Sequence, residues 1–190
     1  MKHLFLINPY AGKYDRTQEV REKLRTVLAG REDPWEVAVT QYPGHGVELV
    51  RAAAERGEPL RVYACGGDGT LNEAVNGAAG YEHVAVTHYP MGSGNDFLRM
   101  FGLDACRFYD LRELLDGPQA PMDLIECNGR LALNVCSIGF DARIGLGAAD
   151  FKKLPLVSGT MPYQLSALPT IAQRIHPPYP LEVDGQTLPP

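Results

Sequence analysis

The first ninety residues alternate between short apolar runs and longer segments in which apolar residues recur every three or four positions. Short apolar runs bounded by turn residues are typical of buried strands, whereas the longer periodicity is typical of helices with one buried face. The pattern predicts strands over residues 4–7, 35–41, 61–65 and 84–89, with amphipathic helices between them. Such alternation predicts a mostly parallel, doubly wound α/β sheet with helices on both faces.

The pattern changes after Gly117. Residues 122–127 and 131–138 predict two strands joined by Asn128-Gly129, a turn typical of antiparallel hairpins. A glycine-rich stretch follows, then a helix near residues 163–175 and a turn at Asp184-Gly185. We therefore predict an α/β domain over residues 1–120 and the incomplete beginning of a β-rich domain over residues 121–190. A strand near residues 180–183 would lack its partner, so we expect low stability or a homo-oligomer.

Composition narrows the classes of function. Eighteen basic against 23 acidic residues give a net charge of -5, which argues against a general binder of nucleic acid. No apolar run approaches the roughly 18 to 20 residues that cross a bilayer, so we expect a soluble, cytoplasmic protein without a transmembrane segment. Because the four cysteines lack metal-site spacing, we expect reduced and mostly buried thiols.

A glycine-rich turn, Gly66-Gly67-Asp68-Gly69-Thr70, follows the third predicted strand and opens a helix. Ligands bind at the carboxyl ends of strands in open α/β sheets, and a helix N-terminus attracts phosphate. An aspartate in an anion site needs a cation or a transferable proton, so Asp68 indicates Mg²⁺ or general-base chemistry. The alternative interpretation is a tight connection between strand and helix.

Two comparable turns follow the first and fourth strands. They are Asn8-Pro9-Tyr10-Ala11-Gly12 and Gly92-Ser93-Gly94-Asn95-Asp96. Because neighbouring parallel strands end at one edge of the sheet, the three turns are expected to converge there. Their hydroxyl, amide and carboxylate groups together predict a pocket for nucleotide phosphate and metal.

These motifs resemble those of the lipid kinases with a diacylglycerol kinase catalytic domain, which include soluble bacterial diacylglycerol kinases and sphingosine kinases. The matching segments occur in family order: residues 8–12, Thr40 with Gly44-His45, residues 66–77 (GGDGTLNEAVNG), residues 92–99 (GSGNDFLR) and residues 134–141 (NVCSIGFD). The resemblance implies a nucleotide domain like those of NAD kinases and phosphofructokinases, followed by a β-sandwich domain.

The resemblance also implies a function. The implied reaction transfers the γ-phosphate of ATP to a lipid hydroxyl, with diacylglycerol as the first candidate substrate. It would serve phospholipid biosynthesis at a membrane surface that the protein contacts transiently. Asp68 is the implied catalytic residue, and Asp68, Asp96 and Asp123 are the implied contacts of Mg²⁺. The implied ATP-binding residues are Asn8, Pro9, Tyr10, Ala11, Gly12, Thr40, Gly66, Gly67, Asp68, Gly69, Thr70, Leu71, Asn72, Gly92, Ser93, Gly94 and Asn95.

The resemblance has one large departure. Members of this family are longer and carry a downstream acidic base, so we expect a truncated chain that is weakly active or inactive. The alternatives are a catalytically silent nucleotide-binding module and an NAD kinase-like enzyme. For His45 the open choices are contact with phosphate and a simple helix start; for Arg99 they are a phosphate contact and a surface ion pair. His3 and His88 are expected to be packed or surface residues.

Overall fold

The computed structural model describes residues 1–151, 161–172 and 181–188. The chain forms two compact units, Met1–Cys136 and Ser137–Pro190. Within the described ranges no helix is long and apolar enough to cross a membrane.

The first unit is built on a parallel sheet of four strands: β1 (Lys2–Ile7), β2 (Trp35–Val39), β3 (Leu60–Gly66) and β4 (Val84–Pro90). Their order across the sheet is β2-β1-β3-β4. Ile7 lies opposite Cys65 and Gly66 lies opposite Pro90, so β1, β3 and β4 end at one edge. The predicted strands and their parallel arrangement are confirmed.

Helices cover both faces of this sheet, as predicted. One face carries α1 (Thr17–Val27) and α4 (Leu111–Asp116), and the other carries α2 (His45–Ala54) and α3 (Asp68–Ala78). Alternate residues of β1 divide between the two cores, because Phe5 packs toward α1 and α4 while Leu6 packs toward α2 and α3. Two short 3₁₀ helices span Asp96–Tyr109 and meet at Gly102, where φ is 54°; we call this stretch the 3₁₀ segment.

The predicted hairpin is present but shorter than the sequence indicates. Strands β5 (Ile125–Cys127) and β6 (Arg130–Ala132) pair around Asn128 and Gly129, whose φ angles are 51° and 74°. Positive φ at both turn residues is the requirement that Asn-Gly satisfies. Leu131 packs against the core under α2 and α3, so the hairpin belongs to the first unit.

The described part of the second unit contains helices α5 (Phe140–Phe151) and α6 (Met161–Ala172) and a hairpin of β7 (Leu181–Val183) with β8 (Gln186–Leu188). The glycine-rich stretch, for which the sequence predicts no element, forms α5; there Gly147 lies against Ser166 of α6 and leaves no room for a side chain. The Ser166 hydroxyl donates a hydrogen bond to the Ile144 carbonyl at 2.9 Å.

Two further expectations for this unit have different outcomes. The predicted helix corresponds to α6, while residues 173–175 lie outside the described residues. The prediction that the strand near residues 180–183 lacks a partner is wrong, because β7 pairs with β8, which follows the turn at Asp184-Gly185. The assignment of residues 121–190 to a β-rich domain stays a prediction.

The cysteines correct another expectation. Only Cys65 is buried among the four, and burial raises the pKa of its thiol. Cys106, Cys127 and Cys136 are exposed, and the hydrogen bond with Cys127 raises the pKa of Cys136.

Helix α3 gives a test of the packing between α2 and α3. A Cβ atom on Gly77 would lie 2.7 Å from the Val50 Cβ, whereas a Cβ on Gly69 meets nothing within 4 Å. We expect Gly77→Ala to lower the free energy of unfolding by about 1 to 3 kcal/mol through overpacking. Gly69→Ala should leave it unchanged or raise it by up to about 1 kcal/mol, because alanine favours helix. Urea unfolding followed by circular dichroism measures both, and equal effects of the two substitutions would contradict this packing.

Candidate functional site

Three turns meet at the carboxyl edge of the sheet. We call residues 8–12, 66–70 and 92–96 the first, second and third turns; they follow β1, β3 and β4. The Asn8 amide donates to the Cys65 carbonyl at 3.0 Å, and the amides of Met91 and Gly92 donate to the Gly66 carbonyl at 2.7 and 3.2 Å. The convergence that the sequence predicts is therefore present, and backbone hydrogen bonds maintain it.

Glycine is required in these turns chiefly by close approach. A Cβ atom on Gly92 would lie 2.5 Å from the Gly67 Cα, so the backbones of the second and third turns are in direct contact there. Gly12 combines a left-handed φ of 83° with a Cβ position only 2.7 Å from the Met91 carbonyl oxygen. Larger residues at these positions would push the three turns apart.

The first and second turns are joined by side chains. The Asn8 Nδ2 donates to Thr70 Oγ1 at 3.0 Å, and Asn8 Oδ1 accepts from the Tyr10 amide at 2.9 Å. Thr70 is buried, whereas Tyr10 is 80% exposed. Asn8 and Thr70 are both predicted to bind ATP. Their hydrogen bond ties the first turn to the second, and the bond from Tyr10 to Asn8 fixes the path of the first turn.

Asp68 connects the second turn to the third. Its Oδ2 accepts from the Asn95 amide at 2.9 Å and its Oδ1 accepts from the Asp96 amide at 2.6 Å. The carboxylate therefore caps the start of the 3₁₀ segment, where unpaired amides favour negative charge. Asn95 has a left-handed φ of 53°, and its Nδ2 donates to the Gly92 carbonyl at 2.8 Å.

The remaining predicted residues of the third turn are accessible to solvent. Ser93, Gly94 and Asp96 are exposed, and the Asp96 carboxylate forms an ion pair with Arg99 at 2.9 Å. Arg99 thus makes the surface ion pair that was one of its two interpretations. Asp123 is exposed on the segment before β5.

The described residues contain no group of three His, Cys, Asp or Glu side chains that could hold an ion, so Asp68, Asp96 and Asp123 do not form one cluster. Mg²⁺ is commonly held by one or two carboxylates together with substrate phosphates and water. Asp68 and Asp96 line one cavity and suit that kind of site. A role for the three aspartates in metal binding stays a prediction.

A cavity of about 210 Å³ lies beside Asp68 and Asp96. Its other polar lining comes from Asn72 and Asn134. Its apolar lining comes from Leu71, Ala132, Leu133 and Val135. A lining that combines carboxylates with apolar side chains suits an amphiphilic molecule.

The turn before α2 has a structural role that the sequence analysis missed. The amides of Gly44 and Gly46 donate to the two carboxylate oxygens of Glu73, each at 2.9 Å. His45 accepts the Gln41 amide on its Nδ1 at 3.1 Å, which supports the helix-start interpretation. Thr40 is buried, and its amide donates to the Ile7 carbonyl at 2.9 Å.

His88 lies beneath the second turn. It is fully buried, and its Nε2 donates to the Gly66 carbonyl at 3.0 Å. Burial lowers the pKa of His88, although the hydrogen bond to Gly66 and the charge of Asp68 act in the opposite direction. His3 is also buried and pairs with the Tyr63 hydroxyl at 2.8 Å, so both histidines are packed residues as expected.

Comparison with known proteins gives a consistent result. Residues 2–127 match the family model of the diacylglycerol kinase catalytic domain. A probable lipid kinase YegS-like protein of Chromohalobacter salexigens is 39% identical over 70% of this chain and 43% of its own length. Another, from Pseudomonas aeruginosa, is 36% identical over 83% of this chain and 51% of its own. The chain thus spans about half the length of the curated relatives that it matches.

The fold also has solved counterparts. The crystal structure of a diacylglycerol kinase from Bacillus anthracis superposes with a TM-score of 0.59 and 24% identity, over 81% of this chain and 56% of that one. At this identity the likeness concerns the fold alone. The predicted kinase-like α/β architecture is confirmed.

The cap formed by Asp68 gives a second test. Asp68→Asn replaces one acceptor oxygen by an amide group that meets a backbone N–H, and it removes the charge. We expect a loss of about 1 to 3 kcal/mol in the free energy of unfolding. Asp96→Asn is the matched control, because the exposed Asp96 carboxylate forms an ion pair with exposed Arg99 and its loss should change stability by no more than about 0.5 kcal/mol. Equal losses in urea unfolding would contradict the cap.

The burial of His88 gives a third test. Because its folded-state pKa lies below the unfolded value of about 6.5, the unfolded state binds more protons as the pH falls. The contribution of neutral, buried His88 to the free energy of unfolding is therefore present above about pH 6.5 and is lost as the pH falls. We expect His88→Gln, which keeps an N–H group but cannot titrate, to show a smaller loss of unfolding free energy between pH 7.5 and pH 5.5. The wild type should lose at most about 1.4 kcal/mol more unfolding free energy per pH unit than His88→Gln. Parallel pH profiles of the two proteins would contradict a lowered pKa for His88.

Proposed function

The chain belongs to the family of the diacylglycerol kinase catalytic domain, and on that premise we propose that it is an ATP-dependent lipid kinase. The proposed reaction transfers the γ-phosphate of ATP to the hydroxyl of diacylglycerol, a step of phospholipid biosynthesis. The observation that carries the proposal is the meeting of three turns at one sheet edge, with Gly67 and Gly92 in backbone contact.

Features of the three turns support a phosphate site. Backbone amides in the second turn, at the start of α3, and in the third turn are proposed to hold the ATP phosphates, because helix starts and glycine turns let amides approach an anion. Phosphoryl transfer depends mainly on positioning and on neutralisation of charge. Asp68 and Asp96 would hold Mg²⁺, which when bound neutralises phosphate charge, and Asp123 is a further proposed contact for metal or water.

The role of Asp68 is narrowed by its hydrogen bonds. Each of its oxygens already accepts a backbone amide, which leaves one lone pair on each for a metal ion or water. We therefore propose that Asp68 acts by orienting the third turn and a bound cation, in preference to taking the proton of the lipid hydroxyl.

The same observation supports a second candidate function. If the carboxylate of Asp68 is mainly a cap, the turns bind nucleotide without transferring phosphate, and the protein is a catalytically silent nucleotide-binding module. An NAD kinase-like enzyme differs from both in its acceptor, since NAD would replace lipid.

Access to the acceptor is also part of the proposal. The apolar wall of the cavity, formed by Ala132, Leu133 and Val135, suits the beginning of an acyl chain. We propose that the protein works in the cytoplasm and meets its lipid by transient contact with a membrane surface.

Calorimetric titration with ATP and Mg²⁺ tests the phosphate site. We expect Gly92→Ala to weaken ATP binding at least about tenfold, because the added methyl group would lie 2.5 Å from the Gly67 Cα and would separate the turns. Gly145→Ala is the matched control: its Cβ meets nothing within 4 Å, and its ATP affinity should equal that of the wild type. Equal affinities in both variants would exclude the proposed phosphate site.

Radiolabelled phosphate transfer then separates the candidate functions. Diacylglycerol in mixed micelles and NAD are offered as acceptors in parallel. Transfer to diacylglycerol is the expected result. ATP binding without transfer would establish the silent module instead, and transfer to NAD alone would establish an NAD kinase-like activity.

A further inference from the structure

A side chain on α3 holds the backbone of the hairpin. Asn76 Nδ2 donates to the Leu131 carbonyl at 2.9 Å, and Asn76 Oδ1 accepts from the Leu131 amide at 2.9 Å. Asn72 Nδ2 donates to the same carbonyl, also at 2.9 Å. The Asn76 amide therefore pairs with the Leu131 backbone as a neighbouring strand would.

The orientation of this amide is fixed. Asn76 Nδ2 also donates to the Asn72 carbonyl at 2.9 Å, so both of its hydrogens are used while Oδ1 receives the Leu131 amide. Reversal of the amide group would oppose donor to donor and acceptor to acceptor. Asn76 is half-buried, which adds to the cost of any unpaired group.

The hairpin needs such a support. Strands β5 and β6 have three residues each, and within the described residues they form a two-stranded sheet of their own. A two-stranded hairpin of this size has little stability by itself. The residues that follow Leu131, from Ala132 to Val135, line the cavity together with Asp68 and Asp96.

We propose that Asn76 is a positioning residue that sets the acceptor side of the cavity. By fixing Leu131 it places the wall of residues 132–135 relative to Asp68 and Asp96, and so places the lipid hydroxyl for transfer. This inference rests on the proposed kinase function, since it names the part of that site which receives the lipid.

The contacts that join the three turns are distinct from the hydrogen bonds of Asn76. The three turns are joined by the contacts of Asp68 with Asn95 and Asp96, of Asn8 with Thr70, and of Gly67 with Gly92. None of these contacts involves Asn76. Loss of its amide should therefore move the wall and leave the phosphate site in place.

The test uses Asn76→Leu and the near-isosteric Asn76→Asp. The first removes all of the hydrogen bonds of the amide, and the second keeps the acceptor but opposes an oxygen to the Leu131 carbonyl. Gln18→Leu is the matched control, because it makes the same change from amide to leucine at an exposed position of α1. Three quantities are measured: hydrogen exchange at the amides of residues 131–136, ATP affinity, and the kcat and KM for diacylglycerol.

The expected result is a separation of these quantities. In both Asn76 variants, exchange at the Leu131 amide should accelerate and kcat/KM for diacylglycerol should fall at least about tenfold, while ATP affinity stays within about twofold. The control should match the wild type in all three measurements.

Two different results would overturn the inference. Unchanged kcat/KM in both variants would remove the positioning role, and an equal fall in ATP affinity would show a general loss of structure instead. If the wild-type protein binds ATP and transfers no phosphate, the proposed function fails and the acceptor role fails with it. Hydrogen exchange at Leu131 would still decide whether Asn76 holds the hairpin.

Discussion

The arrangement at the sheet edge depends on the pair of hydrogen bonds between the Asp68 carboxylate and the start of the 3₁₀ segment. Parallel pairing places β3 and β4 side by side, but it does not fix the direction in which the backbone leaves the sheet after each strand. The Asp68 carboxylate fixes that direction by accepting the amides of Asn95 and Asp96. It does so across the contact of Gly67 with Gly92, where only glycine allows the backbones to approach this closely.

The other polar side chains of α3 extend the same principle to further segments. The Thr70 hydroxyl accepts a hydrogen bond from Asn8 of the first turn, and the Glu73 carboxylate caps the start of α2. The Asn76 amide bonds the backbone of Leu131 in β6. Each group satisfies backbone or side-chain partners that would otherwise lose hydrogen bonds on burial. One helix thus relates the glycine turns, the start of a neighbouring helix and the wall of the cavity.

The sequence predicts the four strands of the parallel sheet, the helices α1, α2 and α3 and the hairpin turn. The strands and helices follow from local periodicity, and the turn follows from the positive φ angles that Asn128 and Gly129 can adopt. It predicts the convergence of the turns from topology alone. The partners of Asp68 and Glu73 could not be predicted, since they lie 27 to 29 residues away along the chain. Helix α5 was missed because Gly147, which lowers helix propensity, is explained only by the approach of Ser166.

Side-chain type was therefore a weaker guide to chemistry than position in the fold. An aspartate, a glutamate and two asparagines in one glycine-rich motif resemble a set of ligand-binding groups, yet each already has a backbone partner within the protein. For phosphoryl transfer this arrangement is consistent, because the reaction needs reacting groups held in line more than it needs covalent help. Under the proposed function, the side chains that hold the turns and the cavity wall serve this reaction by keeping backbone amides and carboxylates in place before a nucleotide arrives.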